Sequence, residues 1–380
     1  MLNHISIQKL FSQYDYEIGM TAGNGNPIKD IMFLTGPNGM GKSTILRSVA
    51  SVFKRDLIYF MTFPFERMVF EFDQCIVEMK QFTETEEVPE GIDIPSSKTI
   101  HLECIYTTKS ESPIQEYGHW VYKNGRFGTE KDDMPNMKLY FNGHKCLYLS
   151  DQRMTEGFDD AVVQPHLLIE VLRQIQAGIT EGYRTGNQTI GTNRLKVDRQ
   201  KDILSILTLL DSCGISLPLD IHEFVNGAEM SDLQVESCEN AIRYCDGLIT
   251  KLKGFYQFVK DSSFVGKDFS ISINHGLQFY AHNEDRSMLS FNQLSLGEKH
   301  VISQIYTMFF SPIPFQLVLV DEPELSFHLM WQQQYLGNIK VVQKLRNCGF
   351  LVATHSTQVF EGKFELTTDL FEQNIHLFEK

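Results

Sequence analysis

An α/β fold with a block of helices set into it is the prediction for this sequence, and three features carry it. Two apolar runs, Ile31–Thr35 and Phe315–Val320, are continuous rather than alternating, which suits strands buried on both faces of a sheet. The first leads through a glycine-rich stretch, residues 36–44, into helical spacing over Ser43–Phe53. Between about Ala161 and Ser262, apolar residues recur at i, i+3, i+4 and i+7, as amphipathic helices require.

Taken in order, Ile5–Ile18 holds two short β-rich segments, closed by the turn chemistry of TAGNGNP. From Met68 to Leu149 the runs MVFEF, CIVEM, TIHLECIY, HWVYK, KLYF and CLYLS read as short strands. TETEEVPEGIDIPSS, acidic and broken by proline and glycine, reads as a solvated loop among them. The segments LLIEVLRQIQ, ILSILTLLDSCG and AIRYCDGLITKLKGFYQFV read as helices, with EGYRTGNQTIGTN from Glu181 as the loop after the first. Sustained heptads are missing, so a compact helical insertion is expected and not a coiled-coil arm. FSISI and LQFYA return as strands, followed by a helix near Lys299–Phe309, the second buried strand, a helix near Trp331–Leu345 and the strand GFLVAT. The boundaries expected are 1–155, 156–264 for the helical insertion, and 265–380.

Composition narrows the class. With 34 Lys+Arg against 48 Asp+Glu the formal charge is −14, which argues against coating nucleic acid by bulk charge but leaves a local basic groove open. Seven cysteines, an odd number with no C-x-x-C pair, read as reduced thiols and neither a disulfide framework nor a zinc site. MLNHISIQKL lacks the basic and apolar regions of a signal peptide, and no apolar run reaches the roughly 18 residues of a membrane span. A soluble, cytoplasmic protein without membrane contact is the expectation.

Chemistry is concentrated in a few short motifs. GPNGMGKST fills G-x-x-x-x-G-K-[ST] between a strand and a helix, making Gly36, Pro37, Asn38, Gly39, Met40, Gly41, Lys42, Ser43 and Thr44 the candidate phosphate cradle. The glycines let backbone N–H groups curl around a phosphate, and the helix N-terminus adds its dipole. Lys42 would reach the β- and γ-phosphates, and the Ser43 hydroxyl would help ligate Mg2+. LVLVDE ends a strand in two carboxylates, placing Asp321 to hold Mg2+ and Glu322 to act as general base toward water. LSLGE, residues 294–298, precedes a helix. Ser295 with Glu298 three residues on also forms a capping-box pattern.

With these motifs in this order, the sequence resembles the P-loop ABC-type ATPases, specifically their SMC/RecF-like branch. The resemblance implies ATP and Mg2+ as cofactors and an α/β ABC-type head with a mixed sheet, an antiparallel β lobe and a helical insertion. It covers roughly residues 1–155 and 265–380. In that family the L-S-x-G-[EQ] signature caps the γ-phosphate of ATP held by the opposite protomer, a role that falls to Ser295 and Gly297. PELSFH, residues 323–328, resembles the D-loop against the partner subunit, and His355 in LVATHS resembles the switch histidine at the γ-phosphate. Gln152 resembles the Q-loop glutamine that meets Mg2+ and the attacking water, with Gln74 as its competitor. Arg153 could contact phosphate or partner, or form a surface salt bridge. Tyr14 and Phe11 lie where relatives approach adenine, although both also read as core.

The implied working unit is an ATP-sandwich homodimer or higher homo-oligomer that closes on ATP and opens after hydrolysis through Glu322. A short insertion makes the chain resemble the stand-alone ATPases of bacterial anti-phage defence, such as the Septu and PARIS ATPases and the ATPase half of overcoming-lysogenization-defect nucleases. About 25 residues follow His355, short of the Toprim nuclease of that last group, and no HNH-like or PD-(D/E)xK-like pattern is present. The nuclease or toxin is therefore expected on a separate effector chain. A DNA-repair clamp is the alternative, with Arg173, Arg184, Arg194, Lys196, Arg199 and Lys201 as its basic groove or else a solvated helix face. A transporter subunit is disfavoured by the divergent signature and the insertion.

Overall fold

The computed structural model describes residues 1–20, 31–85, 98–150, 165–186, 197–227, 229, 231–262, 264, 266–311, 314–326 and 329–377. Contacts divide the chain into two units, one of Met1–Arg153, Ile313–Leu336 and Arg346–Lys380, the other of Met154–Pro312 and Gly337–Leu345. Residues 265–312, expected with the C-terminal part of the head, thus group with the helices, because β-strands and a helix of that stretch pack on them.

In the first unit, a seven-stranded sheet runs β2-β1-β4-β5-β6-β7-β8. Its strands are β1 (Leu2–Leu10), β2 (Tyr14–Gly19), β4 (Arg67–Phe72), β5 (Cys75–Thr85), β6 (Lys98–Thr108), β7 (Gln115–Lys123) and β8 (Arg126–Asp132). Every pairing is antiparallel. A five-stranded sheet, order β15-β3-β14-β13-β9, is wholly parallel. It comprises β3 (Ile31–Thr35), β9 (Cys146–Leu149), β13 (Leu317–Asp321), β14 (Gly349–Ala353) and β15 (Thr367–Asp369). The mixture of strand directions is therefore divided between two sheets. Val318, Leu319, Phe350 and Val352 are fully buried, which is why these central strands read as unbroken apolar runs.

Helix α1 (Lys42–Lys54) turns its apolar face, Ile45, Leu46, Val49 and Val52, into the core between the sheets. KLYF, expected as strand, lies in α2 (Pro135–Gly143). Pro135 at the first turn presets helical φ, and Met137 and Phe141, four apart, bury on one face. β2 is a sheet edge. Asn374, fully buried, accepts from the Asp15 N–H (3.0 Å) and donates to the Asp15 carbonyl (2.8 Å) through its side-chain amide. Gln373 repeats this at Glu17, at 2.8 and 2.9 Å.

The second unit contains α3 (Pro165–Gly186), α4 (Val197–Ser212), α5 (Leu219–Val225), α6 (Asp232–Tyr244), α7 (Asp246–Asp261) and α8 (Leu296–Phe310). A small sheet joins them, made of β10 (Lys267–Ser272), β11 (Gly276–Ala281) and β12 (Met288–Leu289). Glu181–Gly186, expected as loop, continues α3, and Gly182 there serves packing: a Cβ would meet the Ala241 Cα at 2.8 Å. The last helix, α9 (Leu329–Arg346), runs through both units. No helix among the described residues is long and apolar enough to cross a membrane.

Candidate functional site

Parallel register brings the predicted chemistry to one edge. Leu34 pairs with Ala353 and Ala353 with Asp321, so the chain leaves β3, β14 and β13 at the same level. The carboxyl ends of adjacent parallel strands are where such sheets hold ligands. After β3 the backbone turns through Gly36 (φ 134°), Gly39 (φ 84°) and Gly41 (φ 86°). Gly41 is required twice over, because a Cβ there would also lie 2.6 Å from the Leu10 Cδ2. Gly41→Ala is expected to lose at least about 1–2 kcal/mol for the left-handed backbone alone. A thermal melt should show Tm lowered by roughly 1–3 °C or more. The Tyr16 hydroxyl secures the loop by donating to the Met40 carbonyl at 2.8 Å.

Lys42 is buried, and its Nζ donates to the carbonyls of Gly36 (2.8 Å) and Pro37 (3.1 Å). Burial pulls its pKa below the usual lysine value, against Glu322, Glu324, Asp321 and Asp369, which favour the cation. Next to it the Ser43 hydroxyl donates to the Asp321 Oδ1 at 2.9 Å. The other Asp321 oxygen accepts from the Tyr148 hydroxyl at 3.2 Å, and Arg47 Nε donates to that same hydroxyl oxygen at 3.2 Å. Ser43 and Asp321 put two hard oxygen donors side by side, the chemistry a Mg2+ ion accepts. Sequence reasoning missed Tyr148 and Arg47. The signal for Arg47 was its position one turn after Ser43 on the same helix face. Tyr148 pairs with Leu319 on β13, two residues before Asp321.

Glu322 leaves β13 with φ 48°, a backbone region that costs a non-glycine residue strain and clusters at functional sites. Its N–H is held by the Ala353 carbonyl at 2.9 Å, and its carboxylate lies 3.5 Å from the His355 Nε2. Burial and the neighbouring Asp321 raise its pKa above the usual glutamate value, with His355 and Lys42 pulling the other way. The His355 N–H donates to the Glu324 Oε1, which ties the turn Pro323–Ser326 to the end of β14. Phe327 and His328 of PELSFH lie outside the described residues.

Asn38, Gly39, Gly41, Lys42, Ser43 and Thr44 line one pocket of about 250 Å³ with Glu322 and Phe11. Phe11 thus borders the loop, whereas Tyr14 is buried and stacked on Tyr16. Gln152 and Arg153 lie outside the described residues. Gln74 sits exposed in the β4–β5 turn. Ser295 and Gly297 belong to the second unit. Ser295 caps α8, its hydroxyl accepting from the Glu298 N–H at 3.3 Å while the Glu298 carboxylate accepts from the Ser295 N–H at 2.7 Å. Lys267 holds the remaining Glu298 oxygen at 2.8 Å.

Residues 201–361 match the family described as "AAA domain, putative AbiEii toxin, Type IV TA system". The matched stretch includes Ser295, Asp321, Glu322 and His355 and leaves the glycine-rich loop outside. No curated protein matches the chain. Among solved structures, it is similar to the SMC head domain with an extended coiled coil bound to the C-terminal domain of ScpA, from Pyrococcus furiosus. That match has 15% identity over 94% of this chain and 90% of that one, with a TM-score of 0.38. The SMC head bound to the C-winged helix domain of ScpA matches at 15% identity, over 95% and 91%, TM-score 0.36. The SMC head domain from Thermotoga maritima matches at 14%, over 95% and 91%, TM-score 0.35. With its glycine-rich loop between β3 and α1, the chain has the α/β P-loop NTPase fold and matches the AAA family over residues 201–361.

Proposed function

We propose that the chain hydrolyses ATP and works as a cytoplasmic switch that controls a separate effector, a nuclease or toxin, in anti-phage defence. The observation that carries the reading is the convergence of Lys42, the Ser43–Asp321 pair and the Glu322–His355 pair at one strand edge. Lys42 and the loop amides would hold the phosphates, with the N-terminus of α1 adding its dipole. Ser43 and Asp321 fit Mg2+, which would neutralise charge on the phosphates, and Gln152 would join them from outside the described residues. Glu322 would take a proton from the attacking water, with His355 orienting that carboxylate. Ser295 and Gly297 would complete the site of a second copy, giving an ATP-sandwich homodimer. The toxin and toxin–antitoxin wording of the matched family favours a defence role.

Solution mass tests the switch. Glu322→Gln with Mg2+-ATP is expected to be trapped as a dimer, whereas Ser295→Arg stays monomeric. Equal mass for both variants with and without ATP overturns nucleotide-driven dimerisation.

The second reading is a DNA clamp, favoured by the exposed Arg173, Arg184 and Lys201 of the helical unit. Arg199 lies on α4, while Arg194 and Lys196 lie outside the described residues. Steep salt dependence of DNA binding would select it over the effector switch.

A further inference from the structure

The outer face of the antiparallel sheet carries a second group of chemistry-bearing side chains. His101 on β6 and His119 on β7 stand on neighbouring strands, with the His101 Nδ1 3.2 Å from the His119 Nε2. Phe82 on β5 stacks over the His101 ring, centroids 4.8 Å apart and planes within 1°. Glu130 Oε2 is 2.8 Å from the His119 Nδ1, while Glu84 Oε2 is 3.5 Å from the His101 Nε2, a buried nitrogen that makes no hydrogen bond. Glu130 reaches that position through a bulge. Trp120 pairs with Thr129 and His119 with Lys131, so Glu130 is the extra residue on β8. Bulges commonly re-aim a side chain beside a site.

An ionised carboxylate only accepts hydrogen bonds, so Glu130 keeps the proton of a neutral His119 on Nδ1 and leaves its Nε2 a bare lone pair facing His101. A neutral imidazole carries one N–H, and with that proton on Nε2, the side of Glu84, His101 would present a second bare lone pair 3.2 Å away. Two such acceptors are held together by a cation between them, either a shared proton or a metal ion. Ligands about 2.0–2.1 Å from a tetrahedral zinc ion lie roughly 3.3 Å from each other. Carboxylates on the far nitrogens are the usual second layer of histidine–metal sites, and two of them balance a divalent charge.

We propose that His101 and His119 form a two-histidine site for a divalent transition metal of the zinc type, oriented by Glu84 and Glu130. Among the described residues no third His, Cys, Asp or Glu joins them, so water or an incoming ligand fills the remaining positions. A bound ion would cross-link β6 and β7 on their outer face.

The test is Zn2+ titration of the full chain, without nucleotide, against a competing chromophoric chelator. Wild type is expected to take up one Zn2+ that His119→Ala binds at least about 100-fold more weakly. Glu130→Gln keeps both ligands, alters an exposed side chain, and is expected to weaken binding about 10–100-fold. Circular dichroism of each variant shows whether the sheet is intact. Equal zinc uptake by wild type and an intact His119→Ala overturns the site. So does a wild type that takes up no zinc while the two imidazoles titrate in NMR as a pair sharing one proton.

Discussion

Glu322→Gln is expected to lower ATP turnover about 100-fold or more while leaving nucleotide binding intact, since a positioned general base contributes typically 10²–10⁴-fold. Glutamine keeps the shape and the hydrogen-bonding reach but takes up no proton. Steady-state phosphate release beside nucleotide binding checks the split, and turnover within a few-fold of wild type removes Glu322 as the base. Burial and Asp321 raise this carboxyl, so the acid limb of wild-type turnover should sit above the usual glutamate value of about 4.3. The same shift bears on stability. A group whose pKa is raised on folding contributes fully below its unfolded pKa, and that contribution is lost as pH rises through the folded value. At neutral pH the ionised Glu322 is therefore a burden on the fold, and Glu322→Gln should melt no lower than wild type. Its partner does not reverse this, because an ion pair at 3.5 Å between partly exposed groups is worth little.

Lys42→Ala is expected to raise the Kd for Mg2+-ATP at least about 100-fold. Charge-assisted hydrogen bonds contribute about 1.5–3 kcal/mol each, and 1.4 kcal/mol is a factor of about ten, so losing one or two from Nζ to phosphate reaches that figure. Stability in the absence of nucleotide should change less, because two effects oppose. The Gly36 and Pro37 carbonyls lose their donor, while a buried cation whose charged form burial disfavours is removed. Thermal melts separate these, as ligand at 100 times Kd stabilises wild type by about 2.7 kcal/mol and the variant hardly at all. An unchanged ATP-induced shift in Lys42→Ala would mean that the loop is not the phosphate site.

How legible this was depends on the range of the interactions. The loop from Gly36 to Thr44, the buried strands ending at Asp321 and Ala353, and the capping box at Ser295 are local patterns, written within a few consecutive residues. Tyr148 became apparent only with the register, because its partner is set by which strands lie side by side. Tyr148 meets an aspartate 173 positions away in the chain. KLYF misled because its apolar residues suit either period, and Pro135 with the Met137–Phe141 spacing decided for helix. Glu181–Gly186 misled because glycine signalled a turn, while Gly182 is there to admit a neighbouring helix.

Gln373 and Asn374 have a consequence for solubility. A sheet edge offers unpaired N–H and C=O groups that another chain can use as a template for aggregation. Along β2, the two primary amides satisfy the donor and acceptor of Asp15 and Glu17 as a neighbouring strand would. Two side chains thereby act as a strand substitute, closing the edge of a seven-stranded sheet without extending it, and leave β2 no free ladder at those residues for an intermolecular strand to copy.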